Sequence, residues 1–367
     1  GLPRGLDRIE PQELLDSQHL KQLHAPSMSI SFIDATRARA LDANTLQRQY
    51  PDEARKACCE KYKCIFKLRN RTDARAVPEL IELFYSTGSV LLRHEVAYTL
   101  GQMQRRDAVP FLERILVDCE EHSITRHEAA EALGAIQAPE SLEVLKRHAA
   151  DAASEVSDTC ALALAQLDYQ IDKGACGCER RPQEAQRKEA ATAATRGEQE
   201  AACEWKPVSP APPIPAVVVA PAPTYTYVSP APAAKAAPLE TLCGQLHDRS
   251  LPLFERYRAL FALRDAVPVE GERAIEALCA CLSDRDESAL LKHEIAFVLG
   301  QLEHPAADGA LSDAVHSEDE HGMVRHEAAE ALGAIGSPAA IATLRKYCDH
   351  EVAILRESCW VALMWLE

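Results

Sequence analysis

The chain has 367 residues, of which 47% are hydrophobic and only 5% aromatic, and its formal net charge at pH 7 is −16. This length allows two domains with buried cores, and the shortage of aromatic residues favours stacked helices over an all-β fold. The acidic balance argues against a nucleic-acid partner, because binding a phosphate backbone requires a basic face, and it suits a cationic substrate.

The first half of the chain combines a weakly patterned start with a strongly helical pattern. Residues 1–50 predict an N-terminal extension with at most one short helix. In residues 51–171, apolar residues recur at helical spacing, and each segment that carries a His-Glu dipeptide follows another apolar segment. This arrangement predicts helical hairpins at the period of a solenoid.

A linker then separates this region from a second helical half. Residues 172–238 join a charged stretch to ten prolines between Pro207 and Pro238. Such a composition predicts a flexible or polyproline-like linker. Residues 239–367 repeat the hairpin pattern. The sequence therefore predicts an all-α fold with helical-hairpin repeats in two pseudo-symmetric halves joined by a long flexible linker.

The cysteines point to a reducing compartment. Thirteen cysteines show no regular disulfide spacing, and no stretch resembles a signal peptide or a membrane-spanning helix. We therefore expect a cytoplasmic protein without a membrane partner. Cys176 and Cys178 form a close pair but lack the second pair that a structural zinc site requires, so we do not expect them to bind a metal.

Four copies of one motif carry the chemistry of the chain. Each copy is a basic residue, His-Glu and a short helix ending in Leu-Gly; the histidines are 33 residues apart within each half, and the halves are offset by 199 residues. Four imidazoles and four carboxylates at one repeat phase indicate a metal site. The candidate ligands are His94, Glu95, His127, Glu128, His293, Glu294, His326 and Glu327.

The flanking repeats keep the apolar pattern but not His-Glu. Tyr62, Tyr257, Asp158 and Glu357 stand at the His position there. Copying of one ancestral helix cap would also repeat His-Glu, but it does not explain why only the inner repeats retain it. A fifth His-Glu, which begins at His350, is out of phase and is expected in a solvated turn. We interpret the basic residue before each motif histidine as a surface charge.

Small residues follow each histidine on the same helix face. Three residues later comes Ala97, Ala130, Ala296 or Ala329, and seven residues later comes Gly101, Gly134, Gly300 or Gly333. Glycine inside a helix costs roughly 1 kcal/mol relative to alanine. Its fourfold use indicates a need for empty space or close backbone approach, and we interpret it as a cavity beneath the histidines.

The residue four positions after each histidine alternates in character. It is Tyr98 then Glu131 in the first half, and Phe297 then Glu330 in the second. The two carboxylates are candidates to accept an imidazole N–H or to hold a cationic substrate.

Two histidines and one or two carboxylates in each half form the ligand set of non-haem iron oxygen chemistry, and two facing halves would form a dinuclear centre. Zinc or manganese, a two-metal phosphate-ester hydrolase and a metal-free adaptor that binds a partner protein remain alternatives.

The paired His-Glu helices, together with residues 254–264 and 323–335, resemble the deoxyhypusine hydroxylase family. The resemblance covers roughly residues 55–170 and 240–367, while the N-terminal extension and the long linker depart from the compact family pattern. It implies a HEAT-like fold of eight hairpins with a di-iron centre, two Fe²⁺ ions, between the halves. The implied activity is hydroxylation of the aminobutyl arm of a deoxyhypusine residue in a translation factor, with O2 and an external reductant, to give hypusine.

The resemblance also implies roles for individual residues. It assigns His94, His127 and Glu128 to one iron, and His293, His326 and Glu327 to the other. Glu95 and Glu294 are implied to lie at the open side of the centre, as catalytic residues close to the oxygen or the substrate amines. The implied substrate-binding residues are Glu95, Glu294, Glu131, Glu330 and Met323.

Overall fold

The computed structural model describes residues 51–175 and 237–366. The predicted N-terminal extension, most of the predicted linker, and both Cys176 and Cys178 lie outside these residues. The described ranges contain fifteen α-helices, three short 3-10 helices and no strand, which confirms the all-α prediction.

The helices fall into two groups, one in each half. The first group is α1 (Pro51–Arg69), α2 (Ala76–Tyr85), α3 (Val90–Gln102), α4 (Val109–Val117), α5 (Ser123–Ile136), α6 (Leu142–His148) and α7 (Ser154–Ala175). The second group is α8 (Leu239–His247), α9 (Leu253–Glu270), α10 (Glu272–Leu282), α11 (Ala289–Leu302), α12 (Asp308–His316), α13 (Gly322–Ile335), α14 (Pro338–Tyr347) and α15 (Ala353–Met364).

The helices form hairpins in which an even-numbered outer helix packs on the odd-numbered inner helix that follows it. Outer helices α2, α4 and α10 have one strongly apolar face, as expected for a helix that covers one side of a core. The inner helices are buried on more than one side; α3 and α13, for example, bury most of their residues. The described residues contain seven complete hairpins and α1.

The inner helices form a closed ring of eight. Each inner helix packs on the next, α7 packs on α9, and α15 packs back on α1. The His-Glu helices α3 and α5 therefore face their counterparts α11 and α13 across the middle of the ring. Closure buries the His-Glu face from both halves, which a linear solenoid would leave on an open concave surface.

The two seams between the halves are built differently. At the α15–α1 seam, the Cys59 thiol lies 3.7 Å from the Trp360 carbonyl, and the Ser89 hydroxyl donates to Glu357. At the α7–α9 seam, the rings of Tyr169 and Phe254 pack with their centroids 5.6 Å apart.

The basic residues before the motif histidines were expected on the surface, and this expectation is wrong for three of the four. Arg126, Lys292 and Arg325 are at most 6% exposed. Arg126 donates through Nε to the Leu116 carbonyl at 3.0 Å and through Nη2 to Asp151 at 2.6 Å. A buried cation is stable only when it is paired. Arg126 therefore joins the end of α4 to the turn before α7, while Lys292 pairs with Glu320 and Arg325 donates to the Val315 carbonyl at the end of α12.

Arg256 occupies the same position in the repeat before α11, and its removal tests the role of these cations. It donates to the Leu246 carbonyl at 2.8 Å and to Glu287 at 3.0 Å, and both side chains are buried. Arg256→Ala leaves the buried Glu287 carboxylate with only the longer ion pair to Arg249, whose Nε lies 3.8 Å away, so we expect a loss of about 3 kcal/mol in the free energy of unfolding. Arg106→Ala removes the exposed pair with Glu140 and should cost under about 1 kcal/mol in the same denaturation assay. Equal losses in the two variants would contradict the assigned role.

The glycines at the seventh position serve helix packing, although in the second half Gly300 and Gly333 also line a cleft. A Cβ added at Gly101 would lie 2.7 Å from the Ala132 Cα, and one added at Gly333 would lie 2.8 Å from the Ala362 Cα. In each case the obstacle is the backbone of the next inner helix. Close approach, which the sequence also allowed, is the reason for the glycine.

Gly333→Ala and Gly309→Ala form a matched pair that tests this conclusion. At position 333 the new methyl collides with α15, and we expect a loss of at least about 1–3 kcal/mol of stability. At position 309, in the first turn of α12, no atom lies within 4 Å of the new methyl, so the change should be neutral or stabilise by up to about 1 kcal/mol. Thermal unfolding of both proteins provides the comparison; a Gly333→Ala protein as stable as wild type would refute the packing role.

Candidate metal centre

Four inner helices bring the predicted histidines together in the middle of the ring. His94, His127, His293 and His326 come from α3, α5, α11 and α13, and none is more than 5% exposed. Ring centroids are 5.6 Å apart for His94 and His127, and 5.5 Å apart for His293 and His326. Across the two halves, the centroids of His94 and His326 are 5.0 Å apart. All four motif histidines therefore form one compact cluster.

The start of each helix positions its histidine. Ser89 and Ser288 are N-caps whose side chains accept the backbone N–H of Leu92 and Leu291. His122 and His321 play the same part at α5 and α13. Each cluster histidine follows its N-cap by five residues, so four equivalent caps give four imidazoles the same depth in the ring.

Carboxylates from neighbouring helices reach these imidazoles. Glu128 Oε2 lies 3.1 Å from His94 Nε2, and Glu327 Oε2 lies 3.4 Å from His293 Nε2. Glu95 Oε1 lies 3.3 Å from Nδ1 of the adjacent His94. The carboxylate of the second His-Glu in each half thus meets the imidazole of the first.

Most ring nitrogens of these buried imidazoles have no hydrogen-bond partner among the described residues, as expected for metal ligands. Within the described residues, seven of the eight ring nitrogens of these histidines make no hydrogen bond of normal geometry. Leaving a buried polar group without a hydrogen bond costs about 1–3 kcal/mol unless another partner satisfies the group. Among the residues that the structure describes, two groupings bring ligand atoms within 4.8 Å of one another: His94 with His127 and Glu128, and His94 with His293 and His326. The donor set fits metal ions, and both groupings use His94.

Three of the four imidazoles are prepared for coordination. Burial lowers the pKa of His293 to about 3, with a further contribution from His94, and lowers the pKa of His127 and His326 well below the usual value. Neutral imidazole is the form that binds a metal. Burial also opposes charge on His94, but Glu128 and Glu95 outweigh it and raise its pKa well above the usual value.

The carboxylates favour their protonated form. Burial, followed by the charge of Glu327, raises the pKa of Glu294 to about 8. Burial and the charge of Glu95 raise the pKa of Glu327 to about 8. Buried acids without a cation take up protons, and a bound cation reverses this effect.

The residues four positions after each histidine differ in their surroundings. Glu330 Oε1 lies 3.5 Å from His326 Nδ1, at the edge of the centre. Burial raises the pKa of both Glu131 and Glu330 well above the usual value. Tyr98 and Phe297 face each other across the ring, with centroids 6.0 Å apart.

Met323 and His350 lie outside the cluster. Met323 is fully buried in the first turn of α13, three residues before His326. His350 lies in the turn between α14 and α15, where its Nδ1 accepts the Val352 N–H at 3.1 Å. The expected solvated turn is confirmed.

Sequence reasoning missed the contacts that hold Glu330. The Tyr62 hydroxyl donates to Glu330 Oε2 at 2.9 Å, and the Ser358 hydroxyl donates to Oε1 at 3.1 Å. Tyr62 comes from α1, so its contact depends on ring closure, whereas Ser358 lies on α15, the inner helix that packs next to α13. The one signal in the sequence was that Tyr62 stands at the His position of its repeat.

Among the described residues, no helix is long and apolar enough to cross a membrane. A family model described as HEAT repeats matches residues 77–165 and 255–364.

Several curated proteins are similar to the chain. Deoxyhypusine hydroxylase from Danio rerio is 39% identical over 84% of this chain and 86% of that protein. The Homo sapiens protein of that name is 39% identical over 83% of this chain and 84% of that protein. The solved structure of human deoxyhypusine hydroxylase in complex with glycerol superposes with a TM-score of 0.66 at 36% identity, covering 88% of this chain and 98% of that one.

Proposed function

Because the chain belongs to the deoxyhypusine hydroxylase family and is a hydroxylating enzyme, we propose that it uses two iron ions and O2 to hydroxylate a deoxyhypusine side chain of a translation factor. One oxygen atom enters a C–H bond of the aminobutyl arm and the other leaves as water. An external reductant supplies two electrons, and two protons complete the balance. The observation that carries this proposal is the cluster of four buried histidines, seven of whose eight ring nitrogens make no hydrogen bond within the described residues.

The proposed ligands follow the two halves of the chain. His94, His127 and Glu128 would hold one iron, and His293, His326 and Glu327 the other. The distances from Glu128 to His94 and from Glu327 to His293 support this division. Two histidines and one carboxylate per ion leave open positions, and iron bound in this way supplies the capacity to activate O2.

Glu95 and Glu294 are proposed to face the substrate amines. Both are buried, at 4% and 2% exposure. In a buried site, a carboxylate and an alkylammonium form a charge-assisted hydrogen bond, so these residues would fix the arm relative to the iron ligands. Burial of the whole cluster also excludes bulk water from the oxidising centre. Glu131, Glu330 and Met323 are proposed as further substrate contacts.

Metal loading should depend on pH in a direction set by these carboxylates. With pKa values of about 8, Glu294 and Glu327 hold protons at pH 7 in the metal-free protein. Their folded pKa lies above the unfolded value of about 4.5, so the metal-free protein should lose stability as pH rises from about 4.5 through 8. A divalent cation bound at Glu327 must displace its proton, and the charge of the cation lowers the pKa of the nearby Glu294. We therefore expect proton release on Fe²⁺ binding at pH 7 and weaker binding at pH 6 than at pH 8.

Anaerobic calorimetry in two buffers of different ionisation enthalpy measures this proton release. Binding heats that do not depend on the buffer, with one affinity across this pH range, would contradict the assigned protonation. The proposal as a whole is tested by metal analysis together with O2-dependent hydroxylation of a deoxyhypusine-bearing protein.

A further inference from the structure

A cleft of about 470 Å³ lies between α11, α13 and α15, with Tyr62 of α1 at its side, and it reaches Glu327 of the centre. Glu327 and Glu330 lie among its lining residues, together with the rings of Tyr62, Phe297 and Trp365. Trp365 is 61% exposed, and Glu303 lies on the exposed rim. The cleft thus combines an apolar wall with carboxylates at its inner end.

The equivalent position in the other half is filled. Gln166 follows His127 by the same number of residues that separate Trp365 from His326. Gln166 is 4% exposed, and its Oε1 lies 2.7 Å from the place where a Cβ on Gly134 would stand. The next residue, Leu167, is 3% exposed. The two halves therefore differ in access to the centre: a cleft is open in the second half, and buried side chains fill the equivalent position in the first.

The carboxylates at the equivalent positions, Glu330 and Glu131, also differ in their hydrogen bonds. Tyr62 and Ser358 orient Glu330 with two hydrogen bonds. Tyr257, which stands at the equivalent repeat position to Tyr62, donates instead to the Leu290 carbonyl at 3.1 Å. Within the described residues, Glu131 Oε2 has no hydrogen-bond partner. On the cleft side, two neighbouring hydroxyls therefore fix the orientation of the carboxylate.

We propose that the aminobutyl arm enters through this cleft, with Trp365 contacting the protein substrate at the rim and Glu330 receiving an amine at the inner end. This inference rests on the proposed function. An aliphatic ammonium chain matches the cleft because its methylene groups can pack on Phe297 and Trp365 while its charge pairs with carboxylates. Tyr62 is a positioning residue that acts through Glu330.

A matched pair of alanine substitutions tests the route. Ala334 lines the cleft in the last turn of α13, and Ala339 lies in the next helix, α14; both are exposed. Ala334→Trp should obstruct the cleft, whereas Ala339→Trp places the same side chain on the outer surface. We expect Ala334→Trp to weaken binding of the deoxyhypusine-bearing protein by about tenfold or more, with iron content and the thermal midpoint equal to those of Ala339→Trp.

A second variant removes the rim contact without adding bulk. Trp365→Ala should raise the Kd for the same protein by about tenfold, since exposed aromatic anchors carry a large share of interface energy. Tyr85→Ala, which removes a 53% exposed ring from outer helix α2, should leave the Kd unchanged. Wild-type affinity in both Ala334→Trp and Trp365→Ala would overturn the proposed entrance. If the wild-type chain binds the protein but does not hydroxylate it, the proposed function fails, while the Kd values still decide the route.

Discussion

Replacing His127 or His326 by alanine should remove about half of the bound iron or more and abolish most hydroxylation. Both side chains are fully buried in the cluster, and their ring nitrogens have no hydrogen-bond partner among the described residues. Alanine removes one of three proposed protein ligands from an ion. Because His94 lies near imidazoles of both halves, loss of one ion should also weaken the other.

His350→Ala is the matched control for these variants. His350 also precedes a glutamate, but it lies in the turn after α14, away from the cluster. Its variant should keep the wild-type iron content, measured by elemental analysis on protein loaded under the same conditions. Two irons per chain in both His127→Ala and His326→Ala would show that the ligand assignment is wrong.

Replacing Glu95 or Glu294 by glutamine should lower kcat/KM while most of the iron remains. Glutamine keeps the shape of the side chain and removes its negative charge. A hydrogen bond to a charged group contributes about 1.5–3 kcal/mol, so losing one contact to the cationic arm should reduce kcat/KM by roughly ten- to a hundredfold. Substrate binding should also weaken with added salt, because the chain is acidic and screening reduces long-range attraction.

Glu128→Gln and Glu327→Gln separate the two proposed roles. Each of these carboxylates lies against an imidazole of the neighbouring helix, so their variants should lose iron. Glu143→Gln, on the exposed face of α6, controls for the loss of a surface charge. If the Glu95 and Glu294 variants lose metal while the Glu128 and Glu327 variants keep it, the ligand and substrate roles must be exchanged.

Repetition made the helices and the centre predictable. The His-Glu motif recurs at one helical phase, so the position of one histidine in its helix gave the positions of all four, and the N-caps confirm this equivalence. The two-half arrangement also followed from the sequence, because the same pattern occurs twice.

Contacts that depend on closure of the ring were not predictable in the same way. The bond from Tyr62 to Glu330 joins residues 268 positions apart in the chain, and no periodic pattern specifies such a pair. The burial of the basic residues could not be predicted for a similar reason. Arg126 precedes a buried histidine and looks like an ordinary surface residue in the sequence, but its partners, the Leu116 carbonyl and Asp151, are defined only when the repeats stack.

The glycines show how one pattern can have two physical explanations. A small residue inside a helix indicates either a cavity or a close neighbour, and the sequence does not distinguish them. At Gly333 the neighbour is the α15 backbone. The sequence did not predict the asymmetry between the halves either. Gln166 and Trp365 occupy equivalent positions, but Gln166 is 4% exposed and Trp365 is 61% exposed.

The central claim is a di-iron centre that performs O2-dependent hydroxylation, and one experiment on the purified full chain tests it directly. The protein is loaded with Fe²⁺ under anaerobic conditions, its iron is counted, and it is mixed with a deoxyhypusine-bearing protein and reductant, with or without O2. We predict two irons per chain and an increase of one oxygen atom in the mass of the protein substrate, only when O2 is present. A chain that binds no iron, or a mass increase of the same size without O2, would contradict this account.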